Sequence, residues 1–89
     1  NLPRILPPGV HAEIDRNSWH VPAIFRWLQT TGSVPEADMF RAFNMGIGLI
    51  IACGEDHVET LLAQLSAAGE AGAIRLGRIA SGGEGVRYV

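Results

Sequence analysis

Three residues of one short segment, His11, Glu13 and Asp15, are of metal-ligating types and recur at every second position. On a strand that spacing puts all three on one face, so they form a ligand set by type. A half-solvated strand needs the same alternation, and that plainer reading outweighs the first because alternation alone explains it. His20 and His57 have no partner at ligand spacing, and no metal site is expected. Cys53 closes an apolar run just before a helix start, a setting that can make a thiol nucleophilic. The plainer reading is a small hydrophobe in a core strand. No Ser-His-Asp arrangement is present, so no catalytic residue is assigned within the chain.

Gly46-Ile47-Gly48 is only a fragment of a dinucleotide-binding fingerprint. It lacks the third glycine and precedes a strand instead of following one, so that reading fails on context. Ser81 to Gly85 can bring backbone N–H groups to a phosphate, but a plain hairpin loop accounts for it better. Asn44-Met45-Gly46 is balanced between two readings. At the mouth of a strand, an amide side chain and a bare backbone can face a ligand. Asn and Gly are equally at home at the end of a helix. All seven basic residues are arginines. This excludes a P-loop lysine, a Schiff-base lysine and a lysine general base from this chain. Arginine suits planar recognition of phosphate or carboxylate, although a compositional bias against lysine is the stronger general reading. Arg4 stands apart, because prolines brace its segment.

The elements that must position these residues follow from periodicity. Pro3, Pro7, Pro8 and Gly9 make an extended or turning entry. Val10, Ala12 and Ile14 alternate with polar residues as in a half-buried strand. Pro22 suits the first turn of a helix, and Val21, Ile24, Phe25 and Leu28 mark one helix face that Gly32 ends. A second helix starts near Ser33 to Pro35, with Glu36 and Asp38 in its first turn. Leu49 to Cys53 is an uninterrupted apolar run and reads as a strand buried on both faces. Residues 55–68 form the clearest helix, striped by Val58, Leu61, Leu62 and Leu65 and stopped at Gly69. Ile74, Leu76 and Ile79 give a strand with an interruption at Gly77, and Val86 to Val89 give a last one. The order β-α-α-β-α-β-β implies an α/β or α+β layered fold, a mixed sheet with helices packed on it.

Length and composition set the frame. The chain has 89 residues, a net charge of −2, 47% hydrophobic residues and only 18% charged ones. One domain, 1–89, is expected, with apolar surface to spare that marks an interface. The acidic balance argues against nucleic acid as a partner. No apolar run approaches the ~20 residues that span a bilayer, so no membrane is expected. The single cysteine fits a reducing compartment. A start at Asn1, without methionine, suggests a fragment or a processed product.

Four strings in order carry a resemblance: Asn1-Leu2-Pro3-Arg4-Ile5-Leu6-Pro7, Ile14-Asp15-Arg16 with Ser18-Trp19, Pro22 with Ile24-Phe25, and Phe43-Asn44-Met45-Gly46-Ile47-Gly48. Together, over essentially the whole chain, they resemble the C-terminal region of AIR synthetase, phosphoribosylformylglycinamidine cyclo-ligase. The resemblance implies a cytoplasmic enzyme that closes the imidazole ring of purine precursors. It implies ATP and magnesium as cofactors and formylglycinamidine ribonucleotide as substrate. The formyl amide oxygen is phosphorylated, an amidine nitrogen attacks, and phosphate leaves. The charge of the transferred phosphoryl group must be neutralised.

The resemblance further implies an N-terminal domain that carries most nucleotide, metal and dimer contacts, and a C-terminal α/β domain that closes the substrate cleft. This chain resembles the latter part of that second domain, with a Gly-rich stretch and a Thr-His pair lying upstream of Asn1. The expected partners are therefore the missing N-terminal domain and, as a homodimer, a second copy of the whole protein. The 89 residues alone are expected to be inactive and to hold neither ATP nor magnesium. Asn1, Arg4, Asn44, Met45, Gly46 and Gly48 match the family strings and are expected at the edge of the substrate cleft, with Asn44 the best candidate for a polar contact. Arg16 and Trp19 match a string read as structural. Ala42 stands where threonine is usual and Asp38 where glutamate is usual. The alternatives are a non-catalytic α/β ligand-binding or regulatory module, and a related superfamily enzyme such as thiamine-monophosphate kinase or selenophosphate synthetase.

Overall fold

The computed structural model describes residues 1–89 and divides into two compact units. One unit comprises residues 1–19 and 52–89; the other comprises residues 20–51.

The first unit is built on strand β1 (Val10–Ile14), which forms where apolar and polar residues alternate. Ala12 and Ile14 are buried, while His11 and Glu13 occupy the opposite face. Strand β1 is central in a three-stranded sheet ordered β2-β1-β3, with β2 at Gly77–Ser81 and β3 at Val86–Tyr88. It pairs antiparallel with β2 and parallel with β3, so the sheet is mixed and the α/β class stands.

The connection from β2 to β3 departs from the hairpin expected at Ser81–Gly85. The two strands do not pair with each other, because β1 lies between them. Their linker instead runs across the entry to β1, donating from Gly82 N–H to Gly9 O at 2.8 Å and accepting at Gly85 O from Ala12 N–H at 3.0 Å. Gly82, Gly83 and Gly85 all have positive φ, which lets so short a linker change sides.

The extended or turning entry takes the form of a 3-10 turn at Leu2–Ile5. Residues 55–68 form a 3-10 turn at Glu55–His57 followed by helix α3 (Val58–Ala67).

The second unit holds helix α1 (Ala23–Gly32) and helix α2 (Glu36–Ala42). Pro22 precedes α1 as its N-cap. The α1 terminus falls one residue beyond the expected stop: Gly32 is still helical, and Ser33 takes the left-handed capping conformation at φ 50. Met39 of α2 is fully buried and Met45, just after it, is 5% exposed.

The largest departure from the sequence expectation is the apolar run. Leu49 to Cys53 forms no strand and is not buried; Leu49 is 82% exposed, and Cys53 is exposed as well. A run apolar on both faces becomes a strand only between two neighbours that bond its backbone, and none pairs with it here. Thus the element order is β-α-α-α-β-β instead of β-α-α-β-α-β-β. No helix is long and apolar enough to cross a membrane.

Candidate functional site

The six expected cleft-edge residues fall in two groups, one in each unit, and each group is described by itself. In the first unit, Asn1 and Arg4 bracket the 3-10 turn, where Arg4 N–H donates to Asn1 O at 3.1 Å. Pro3 pre-sets the backbone, so the two polar residues are held one turn apart. Both side chains are exposed. A shallow concavity of about 490 Å³ beside this turn is lined by Pro3, Leu6, Pro7, Pro8, Val10, Glu84 and Gly85. Its one charged lining residue is an acid, so the concavity is not built for an anion.

The second group forms a defined turn. Ile47 N–H donates to Asn44 O at 3.0 Å, closing a four-residue turn over Asn44–Ile47. Its two central residues, Met45 and Gly46, have φ of 53 and 100. Two successive positive φ values are the signature of a type I′ turn. Glycine takes such a conformation freely, but methionine does so at a cost of roughly 1–2 kcal/mol. Two features offset that cost. The Asn44 side chain turns back on its own backbone, Oδ1 accepting from Gly46 N–H at 2.9 Å. The Met45 side chain is also removed from water.

The turn is held against the start of α1. A Cβ added to Gly46 would lie 2.5 Å from Pro22 Cδ and 2.9 Å from Pro22 Cγ, so only a bare Cα fits there. One residue before the turn, the ring of Phe43 packs on Phe25, with centroids 6.0 Å apart and tilted by 56°. Neither contact is visible in the sequence. Of the two even readings for Asn44-Met45-Gly46, the helix cap does not describe it. Helix α2 ends at Ala42 and its C-cap Phe43 is extended, before the turn begins. Gly48 has open space around its Cα.

The metal-ligand types on β1 are used within the fold. His11 Nδ1 donates to Gly82 O, and His11 Nε2 lies 3.1 Å from Glu13 Oε2. Arg78 of β2, opposite Glu13 in register, donates from Nε to Glu13 Oε1 at 2.8 Å. The Arg78 guanidinium, and then His11, hold the Glu13 carboxyl below the ordinary carboxylate range. Asp15 leaves this set and accepts from Asn17 N–H at 2.9 Å through Oδ1. Partial burial pushes the Tyr88 phenol up. No group of three or more His, Cys, Asp or Glu side chains is arranged to hold a metal ion.

A family model described as "AIR synthase related protein, C-terminal domain" matches residues 1–89. The chain is 47% identical over 88 residues to phosphoribosylformylglycinamidine cyclo-ligase of Bacillus subtilis (strain 168), covering 99% of this chain and 25% of that protein. It is 46% identical over 89 residues to proteins of the same name from Desulfitobacterium hafniense strains DCB-2 and Y51, covering 100% of this chain and 26% of each. The chain thus spans about a quarter of the length of the curated relatives it matches.

Proposed function

The chain belongs to the family of AIR synthase related protein C-terminal domains, and from that premise we propose that it is the C-terminal part of a phosphoribosylformylglycinamidine cyclo-ligase. The observation that carries this reading is identity of 46–47% sustained over 88 to 89 residues. The whole protein would convert formylglycinamidine ribonucleotide to aminoimidazole ribonucleotide in the cytoplasm. ATP supplies the phosphoryl group that turns the formyl oxygen into a leaving group, and ADP and phosphate are released. ATP and magnesium are held by the part of the protein outside these residues, which is also where a homodimer forms. The 89 residues, one portion of a single C-terminal domain, supply one edge of the substrate cleft.

Asn44 contacts substrate, with Met45, Gly46 and Gly48 shaping the backbone around it, and in the other unit Asn1 with Arg4 supplies a separate polar contact. The apolar run Leu49–Ile51 supports a covering partner, because so exposed an uncharged stretch belongs against another surface. The rest of the same chain is the partner proposed.

The test is an assay of the full-length parent protein. It should release ADP from ATP only with formylglycinamidine ribonucleotide and form aminoimidazole ribonucleotide in equal amount, while the 89 residues alone do neither. ATP turnover with thiamine monophosphate or selenide in place of that substrate refutes the reading.

A further inference from the structure

We infer that Asn44 meets its ligand as a hydrogen-bond donor, through Nδ2, so that the group it selects is an oxygen acceptor of the bound ribonucleotide, a phosphate or carbonyl oxygen. The inference rests on the reading of Asn44 as a cleft-edge residue and adds which end of the amide does the work. An asparagine side chain offers a carbonyl oxygen and an NH₂ that are told apart only by their partners. Here the partner decides. The Gly46 backbone N–H can only donate, so the side-chain atom 2.9 Å from it is Oδ1. The Asn44 backbone oxygen is engaged as well, by Ile47 N–H. The turn therefore uses both of the residue's acceptor atoms, and two N–H donors remain on an exposed side chain against one residual lone pair on Oδ1.

The backbone of the turn points to the same end. Gly46 N–H and Ile47 N–H are both given to Asn44, so these two amides cannot cradle an anion themselves. An acceptor that reaches the turn meets Nδ2. The turn also fixes where that donor stands: Asn44 Oδ1 is tied to the backbone, and the turn is seated on Pro22 through Gly46. A donor held in place before binding loses less conformational freedom on contact than a free side chain does.

The experiment uses the full-length parent with three substitutions. Asn44→Asp keeps an oxygen for Gly46 N–H and removes both donors. Asn44→Ser keeps a hydroxyl that can accept from the turn and can donate once, without adding charge. Asn44→Ala removes both functions. KM and kcat are measured for each substrate, with hydrogen exchange of the Gly46 amide as the readout of the turn. The expected result is a KM for one substrate that rises roughly 10- to 100-fold in Asn44→Asp, with kcat less affected and Gly46 protection retained. Asn44→Ser should fall between wild type and Asn44→Asp, and Asn44→Ala should lose Gly46 protection as well. Wild-type KM values in Asn44→Asp overturn the inference, and so does KM rising in step with loss of Gly46 protection across the series, which marks a purely structural role. A wild-type parent that does not close the ring overturns the underlying reading, an outcome distinct from an active parent indifferent to Asn44→Asp.

Discussion

Replacing Gly46 by alanine tests whether the Asn44 turn is set by its seat on helix α1. Two costs add at this position. Alanine at φ 100 leaves the ordinary regions, a penalty of about 1–2 kcal/mol. Its Cβ would also stand 2.5 Å from Pro22 Cδ and 2.9 Å from Pro22 Cγ. A proline ring cannot swing aside, so either the turn or the start of α1 must shift, costing about 1–3 kcal/mol. The sum, roughly 2–5 kcal/mol, is a large part of the stability of a small protein, about 5–15 kcal/mol. The steric part, but not the φ part, should vanish when Pro22 is also shortened. Gly46→Ala, Pro22→Ala and the double variant therefore form a cycle. Its coupling should favour the double variant by about 1–3 kcal/mol, leaving the conformational penalty. Urea unfolding followed by tryptophan fluorescence measures it, since Trp27 lies on α1. An additive cycle, or a Gly46→Ala stability within about 0.5 kcal/mol of wild type, refutes the close approach of Gly46 to Pro22.

Gly77→Ala should destabilise the sheet unit by about 3 kcal/mol or more, because its Cβ would overlap the Glu13 carbonyl oxygen, a backbone atom that cannot move without breaking the ladder; unchanged unfolding refutes this. Glu13, held below its ordinary 4.5 by Arg78 and then His11, contributes stability above that value and loses it as pH falls through its lowered pKa. Arg78→Ala should move the Glu13 carboxyl titration, followed by NMR, up towards 4.5, and an unmoved titration contradicts the ion pair. Leu49→Asp should be within about 0.5 kcal/mol of neutral in the 89-residue chain, where Leu49 is open to water, and cost about 2 kcal/mol or more in the full-length parent, where the proposal covers it. Equal effects in both proteins argue against a covering partner.

Much of the fold is legible in the chain because it depends on local periodicity. Strand β1 forms where Val10, Ala12 and Ile14 alternate with polar residues, and α1 and α3 form where apolar residues recur at helical spacing. The polar face of β1 was also legible as a type, but not its use. Nothing near His11 and Glu13 in sequence announces that Gly82 and Arg78, about seventy residues on, will take up their hydrogen-bonding capacity. The β2–β3 linker misleads for a related reason. Its glycines read as a hairpin, whereas pairing partners are chosen by the sheet, and β1 takes both neighbours.

The sequence by itself determined the helices, the half-buried strand β1, the exclusion of lysine chemistry and the Asn44-Met45-Gly46 string that matches a known family, because each of these is written in residue types and short spacings. Only the tertiary structure decided that Met45 adopts a left-handed conformation, that Gly46 must lack a side chain because Pro22 fills its place, and that the Asn44 amide turns its oxygen inward and leaves its N–H donors free. It decided too that Leu49–Cys53, apolar enough for a buried strand, stays irregular and exposed. The physical reason is common to all of these. Propensity acts within a few residues, whereas a close approach, a hydrogen-bond partner or a paired strand edge exists only once distant segments meet.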